Sequence, residues 1–247
     1  MPEEKALFYL LDSVDSTNNY AMAKVHAGMA SHGMAWFANE QTKGKGQRSK
    51  GWQAEPGKNI ILSIVLKPPP IFRAQPFYLS SLIAIACAEF LQKNSAQQIS
   101  IKWPNDLYWR DRKAGGILIE NVFAGDQWKW AVVGIGINVN QTQFSEDLFQ
   151  PVSLQEISGR SLNPELLARQ LHHYILNKVK GSTEENIKLL RPAYNERLFK
   201  KGQQVKLKKD SAVFQTTIKE VNDAGQLVTH DTMERIFDHG SVEWVLT

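Results

Sequence analysis

Apolar runs of strand length, separated by turn residues, alternate with longer helical patterns along the first two hundred residues. Residues 7–11, 34–41 and 59–66 read as strands, the third rich in Ile, Leu and Val. Asp15-Ser16-Thr17-Asn18-Asn19 supplies N-cap side chains for a helix running to about Gly28. A second helix is expected at about 76–94. Strands follow at 99–103, 114–123 and 128–139, the last two joined by Ala124-Gly125-Asp126-Gln127 as a hairpin. Helical patterns occupy 153–158, 164–179, with Asn163 as cap and Pro164 at the first position, and 183–199. From about residue 200 the pattern changes to short β segments at 203–208, 212–221, 226–231 and 234–237, with Asn222-Asp223-Ala224-Gly225 as a turn. The pattern predicts an α+β domain followed, from about residue 200, by a small β-barrel.

Composition sets bounds on this picture. At 247 residues with 43% hydrophobic and 22% charged positions, the chain is ordinary globular material, large enough for one large domain plus a small one. No apolar run approaches the ~20 residues of a membrane span, and the N-terminus lacks the layout of a secretory signal. The single cysteine, Cys87, lies in an apolar helical pattern, excludes an internal disulfide and fits a reducing, cytoplasmic setting. The sequence pI near 9.0 raises the question of nucleic acid. Charge placement argues against it. Residues 43–58 hold five basic side chains and one acidic, a net +4 that equals the net charge of the whole chain. Residues 195–247 hold eight basic and eight acidic, so the small C-terminal unit is read as a docking or protein-contact module.

That excess sits mainly in Lys43-Gly44-Lys45-Gly46-Gln47-Arg48-Ser49-Lys50-Gly51-Trp52, four cations and three glycines in ten residues. Gly leaves backbone amides accessible and the cations add charge, a composition suited to a phosphate group. A P-loop would continue as Gly-Lys-Ser/Thr into a helix, and a dinucleotide fingerprint would place Gly where Ser49 stands. Neither fits, and the loop runs through Glu55-Pro56-Gly57 into a strand, so cationic side chains must replace a helix dipole. The alternative is a solvated basic turn that binds nothing. Three further segments bear on the choice. Lys102-Trp103-Pro104-Asn105-Asp106 puts an amide and a carboxylate at a turn that proline presets. Asp111-Arg112-Lys113-Ala114-Gly115-Gly116 places a lysine at the mouth of a strand whose glycines permit close approach. Gly134-Ile135-Gly136-Ile137-Asn138 embeds alternate glycines in a central strand, as if something flat lay against that face. Read singly, these are equally capping residues, a hairpin lysine and a weak strand.

Taken in order, these segments resemble the biotin–protein ligase family. The resemblance rests on Asp15-Ser16-Thr17-Asn18, the Gly/Lys/Arg loop ending in Trp52, Lys102-Trp103-Pro104-Asn105-Asp106, Lys113-Ala114-Gly115-Gly116-Ile117-Leu118 and Gly134-Ile135-Gly136-Ile137-Asn138, across most of residues 7–140. The resemblance implies a mixed-sheet catalytic domain over 1–198, and the tail from about 200 is similar to the family's SH3-like C-terminal β-barrel, 199–247. The resemblance implies an ATP-dependent enzyme that makes biotinyl-5′-AMP, using Mg²⁺, and passes biotin to a lysine of a biotin carboxyl carrier protein. Ser16, Thr17, Asn18, Gln41, Lys45, Gly46, Gln47, Lys113 and Gly116 would meet biotin. Gly44, Lys50, Trp52, Lys102, Asn105 and Asn138 would meet the nucleotide, with adenine over the Gly-Ile-Gly strand. Lys113, Asp106 and Arg48 would carry the catalysis, Asp106 as lysine orienter, metal ligand or proton acceptor. No dedicated metal ligands are identified.

In two places the chain departs from the family's Gly-Arg-Gly-Arg-Arg-Gly pattern: Gln47 stands where Arg is usual and Ser49 where Gly is usual. A neutral amide cannot make a charge-assisted fork to phosphate, so Arg48 or Lys50 is expected to supply that charge. With the first catalytic strand starting near residue 7, the chain is expected to be the ligase-only form, without nucleic-acid binding, and a homodimer is compatible with the family. A lipoate–protein ligase of related fold is the rival enzyme, and an RNA- or partner-binding protein the non-enzymatic rival.

Overall fold

Residues 8–14 form strand β1 (Phe8–Val14), three residues longer at its C-terminal end than the apolar run predicts, because pairing with β2 (Ala35–Gln41) carries it through Asp12 and Ser13. The computed structural model describes residues 7–47, 51–73, 75–146 and 148–245. Helix α1 (Thr17–His26) connects β1 to β2, which lie parallel. Strand β3 (Asn59–Leu66) is buried at every position and runs antiparallel to β2. After helix α2 (Pro76–Ser95) come β4 (Ser100–Lys102), β5 (Asp106–Trp109), β6 (Arg112–Ala124) and β7 (Gln127–Asn138). The seven strands are ordered β1-β2-β3-β7-β6-β5-β4, and only the β1/β2 pair is parallel. The sheet is mixed, as expected. Strand β5 escaped the sequence reading because its four residues follow a proline turn and carry no alternation long enough to register.

Burial on the two faces of this sheet decides where a site can form. One face, with Ala35, Phe37, Ile64, Leu66 and Val133, is buried under α2 and α4 (Pro164–Lys180). The other carries Trp36, Val65 and Val132 beneath α1, whose Ala21 and Val25 pack on them. Helix α1 covers only part of that face. Farther along, the same face presents Ile61 and Ser63 of β3, Gly134 and Gly136 of β7, and Gly116 and Leu118 of β6, in register with one another. Successive strand residues alternate faces, so these positions form a floor beyond the helix.

Between the sheets the expected helix over 183–199 is divided into α5 (Glu184–Ile187) and α6 (Leu190–Glu196), with α3 (Leu154–Ser158) preceding α4. Pro192 explains the division: inside a continuous helix its ring would clash with the carbonyl of Lys188, whereas in the first turn of α6 its missing N–H costs nothing. Capping matches the sequence more closely at α4, where the Asn163 side chain accepts from Leu166 N at 3.0 Å behind Pro164.

The C-terminal segment forms a five-stranded antiparallel sheet of β8 (Gln204–Lys209), β9 (Ala212–Val221), β10 (Leu227–His230), β11 (Glu234–Phe237) and β12 (Glu243–Val245), ordered β11-β10-β9-β8-β12. The expected barrel is not closed: edge strands β11 and β12, four and three residues long, do not pair with each other among the described residues. The two sheets share one core. Leu207, Ile218, Val221 and Leu227 belong to the same buried cluster as Leu79 and Ile101. Polar ties cross the junction as well: Asn195 bonds both the carbonyl and the N–H of Val221, at 2.9 and 2.7 Å, and Trp103 Nε1 donates to Gly225 O at 2.9 Å. Gly225, at φ +81°, meets Phe77 so closely that a Cβ there would lie 2.5 Å from the ring. Among the described residues no helix is long and apolar enough to cross a membrane.

Candidate functional site

The uncovered floor opens into a cavity of about 850 Å³, large enough for a small-molecule pair and far larger than any packing defect. At the end nearest α1 its wall is polar and anchored. Ser16, in extended conformation, caps α1 by accepting from Asn19 N, and is itself buried. Gln41 Oε1 accepts from both Thr17 N at 2.7 Å and Thr17 Oγ1 at 3.0 Å. The single proton of the Ser63 hydroxyl is shared between Asn18 Oδ1 at 2.6 Å and Thr17 Oγ1 at 2.8 Å. Asn18 Nδ2 in turn donates to Glu120 Oε2 at 2.8 Å. These residues are held in place before anything binds, as burial requires of polar groups. Gly134 is needed here, since a side chain would run into Asn18.

In the middle of the floor Lys113 Nζ lies 2.8 Å from Asp106 Oδ1. Three contacts fix the lysine backbone: Lys113 N donates to Gln150 O at 2.9 Å, Val152 N donates to Lys113 O at 2.9 Å, and Asn138 Nδ2 reaches Lys113 O at 3.4 Å. Gly116 lies beneath the ion pair, where a Cβ would stand 3.2 Å from Asp106 Oδ1 and 3.6 Å from Lys113 Nζ. Asn105 braces the turn, its Nδ2 donating to Ile117 O and its carbonyl accepting from Ile117 N at 3.1 Å. The Trp103–Pro104 peptide is cis. Nearby, Lys102 Nζ donates to Tyr108 OH at 3.3 Å and lies 5.5 Å from the centre of the Trp244 ring. Burial pushes the Tyr108 hydroxyl well above its ordinary range, with Asp106 and Asp111 adding to the effect, so it stays protonated.

The basic loop closes the third side. Lys45 pairs with Gly51 as an isolated bridge, and Trp52 N donates to Gly44 O at 2.9 Å. The indole of Trp52 lies against the Gly-Ile-Gly strand, on the face where adenine is expected: a Cβ on Gly136 would lie 2.5 Å from Trp52 Cε2. Lys45 Nζ faces Glu120 Oε1 at 3.9 Å, and His239 Nε2 donates to Gln47 Oε1 at 2.7 Å. Arg48 and Lys50 lie outside the described residues.

Fourteen of the residues singled out from the sequence thus face one cavity: Ser16, Thr17, Asn18, Gln41, Lys45, Gly46, Gln47, Trp52, Lys102, Asn105, Asp106, Lys113, Gly116 and Asn138. Gly44 is outside its wall: its carbonyl accepts from Trp52 N, and a Cβ there would lie 2.9 Å from Gln41 Nε2. Asn138 is at the wall, but its amide nitrogen is engaged with Val152 O at 3.1 Å and Lys113 O, so it braces the lysine.

Residues 10–138, which hold the polar end, the loop and the lysine strand, match the Biotin/lipoate A/B protein ligase family. The chain belongs to this family. Among curated relatives of this family member, the bifunctional ligase/repressor BirA of Salmonella typhimurium is 36% identical over 166 residues, 66% of this chain and 50% of that protein. The biotin–[acetyl-CoA-carboxylase] ligase of Paracoccus denitrificans is 33% identical over 163 residues, 63% of this chain and 66% of that protein. The chain spans about half the length of the BirA relatives that it matches. A solved structure of the biotin protein ligase from Aquifex aeolicus in complex with biotin and ATP superposes with a TM-score of 0.81 at 24% identity, over 98% of this chain and 99% of that one. That likeness establishes the ligase fold, including the second sheet.

Among the residues not found from the sequence are Ser63 and Glu120, which bond to the polar end, and His239 and Trp244, which line the cavity. Ser63 left a trace, a lone hydroxyl in an otherwise apolar strand. Glu120 left another, since it follows Gly116 and Leu118 at the two-residue spacing of one strand face. His239 and Trp244 left none: they reach the cavity only because the C-terminal sheet docks where it does.

Proposed function

We propose that the protein joins biotin to ATP, forming biotinyl-5′-AMP and pyrophosphate, and then transfers the biotinyl group to one lysine of a biotin carboxyl carrier protein. The observation that carries this reading is the Lys113–Asp106 pair, 2.8 Å apart on a glycine floor between an anchored amide-and-hydroxyl end and a basic loop. The end formed by Ser16, Thr17, Asn18 and Gln41 suits a neutral ureido ring, which offers both donors and an acceptor. Lys113 then meets the biotin carboxylate where it approaches the α-phosphate. In the first step a carboxylate oxygen bonds to the α-phosphorus, the bond to the β-phosphate oxygen breaks, and pyrophosphate leaves with that electron pair. Lys113 offsets the charge that accumulates between the two anions, and Asp106 keeps the ammonium aimed. In the second step the carrier's lysine amine attacks the acyl carbon, AMP leaves, and the amine gives up its proton. Asp106 is the carboxylate placed to receive it. Trp52, seated on Gly136, walls the mixed anhydride from water.

No group of three His, Cys, Asp or Glu side chains lies together among the described residues. Mg²⁺ enters in this proposal with the ATP substrate, the kind of site that needs only one or two protein carboxylates. The carrier and ATP place the reaction in the cytoplasm. Biotin-dependent exchange of labelled pyrophosphate into ATP tests the reading. Exchange with biotin and not with lipoate supports it, exchange with lipoate alone moves the chain to the related ligases, and no exchange with either overturns it.

A further inference from the structure

Gln47 is the loop position at which an arginine would contact phosphate, and a neutral amide cannot do that work. In the structure its side chain is used differently. His239 Nε2, from the segment between β11 and β12, bonds Gln47 Oε1 at 2.7 Å across 192 residues of chain. The imidazole is braced from behind. It stands edge-on to Trp103, with ring centres 6.1 Å apart and planes at 83°. Trp103 is buried and fixed by its own bond to Gly225 O, and Gly225 packs on Phe77 of α2. A connected path of contacts, buried at Trp103 and exposed at the His239–Gln47 bond, therefore ends on a side chain of the basic loop. Nearer the loop's start, Lys45 faces Glu120 of β6 at 3.9 Å. The loop is thus tied to both sheets, by an ion pair at Lys45 and a side-chain hydrogen bond at Gln47. An amide carries both a donor and an acceptor, so Gln47 can pair with His239 in either imidazole tautomer.

We propose that His239 is a positioning residue for the ligation reaction: it ties Gln47 to the C-terminal sheet and sets the pose of residues 43–47 at the edge of the cavity. This deepens the ligase reading and rests on it. The replacement of a phosphate-binding cation by Gln47 then gains a purpose, since charge is given up for a tether between sheets. A net hydrogen bond of this kind corresponds to about a two- to tenfold effect.

The test uses the full-length protein and its His239→Ala, His239→Gln, Gln47→Ala and doubly substituted His239→Ala/Gln47→Ala variants. Tryptic cleavage after Lys45, without any substrate, reads the tie by itself. It should quicken about two- to tenfold in His239→Ala and Gln47→Ala, return toward wild type in His239→Gln, and be no faster in the double variant than in the faster single one. The KM for ATP in biotin-dependent pyrophosphate exchange should rise by a similar factor, with kcat changing less. Wild-type cleavage and KM in His239→Ala, or single effects that multiply in the double variant, would overturn the proposal. A wild-type protein without biotin-dependent exchange would sink the ligase reading, while the cleavage result still decides whether the tie exists.

Discussion

Replacing Gly136 by alanine probes the seat of Trp52 directly. The added Cβ would stand 2.5, 2.7 and 2.9 Å from Trp52 Cε2, Cζ2 and Cδ2. Carbon atoms in ordinary contact keep about 3.5–4.0 Å, so the indole has to withdraw by roughly 1 Å. Gly136 is not among the residues at positive φ, so alanine brings no backbone strain, and in a strand it regains about 0.5–1 kcal/mol relative to glycine. Overpacking costs about 1–3 kcal/mol, which leaves a net loss of about 0–2.5 kcal/mol. For a chain of this size each kcal/mol moves Tm by about 2–4 °C. The sign should reverse where the indole is missing. In a Trp52→Ala background, Gly136→Ala should be neutral or stabilising by up to about 1 kcal/mol, because only the backbone gain remains. Thermal melts of the four proteins measure this coupling, and biotin-dependent exchange should report a raised KM for ATP in Gly136→Ala. Equal destabilisation with and without Trp52 would refute the reasoning, since the clash would then lie elsewhere.

Other expectations follow from the same contacts. Lys113→Ala should lower biotinyl-AMP synthesis by about 10²–10³, the scale of losing one preorganised charge contact. Its melting point should hold within what a half-exposed ion pair contributes, about 1 kcal/mol, and circular dichroism melts separate that outcome from unfolding. Cys87 is fully buried, and burial pushes its thiol up, so Ellman's reagent should fail to label the native protein and label it once denatured. Burial also lowers the basicity of His172, against the opposing effect of its bond to Gly33 O at 2.8 Å and with lesser contributions from His173 and Arg169. The unfolded chain therefore takes up that proton first as pH falls through about 6.5, and stability should drop below that value with a slope of at most about 1.4 kcal/mol per pH unit. Urea titrations from pH 7.5 to 5 should show the slope, and His172→Gln should lose it even if its overall stability is lower.

The motifs that were legible in the sequence are those whose chemistry is local. The Ser16 cap, the loop glycines and the Lys113–Gly116 run each announce themselves within a few residues, and the fold brings them together because the start of α1, the loop between β2 and β3, and β6 all border one face of the sheet. The helix over 183–199 was misjudged because helical periodicity outweighed the steric effect of Pro192. The barrel was overcalled since strand patterns say nothing of whether edge strands meet. The bracing bonds of Asn138 to Lys113 and Val152 could not be read from the sequence, because an amide in a strand carries no mark of what it will bond. His239 and Trp244 were invisible for a different reason, as their proximity to the loop is produced by docking of one sheet on another.

The Trp103–Gly225 bond and the Phe77–Gly225 contact also bear on how this protein can be re-engineered. A chain cut before β8 would leave a buried indole N–H without its acceptor and would open the shared core from which Leu207, Ile218, Val221 and Leu227 were removed. The C-terminal sheet is therefore not an exchangeable cassette. A chimera that swaps it for a homologous segment has to bring the Gly225 turn with it, and a fusion partner is better joined at either end of the chain than at the junction near residue 200.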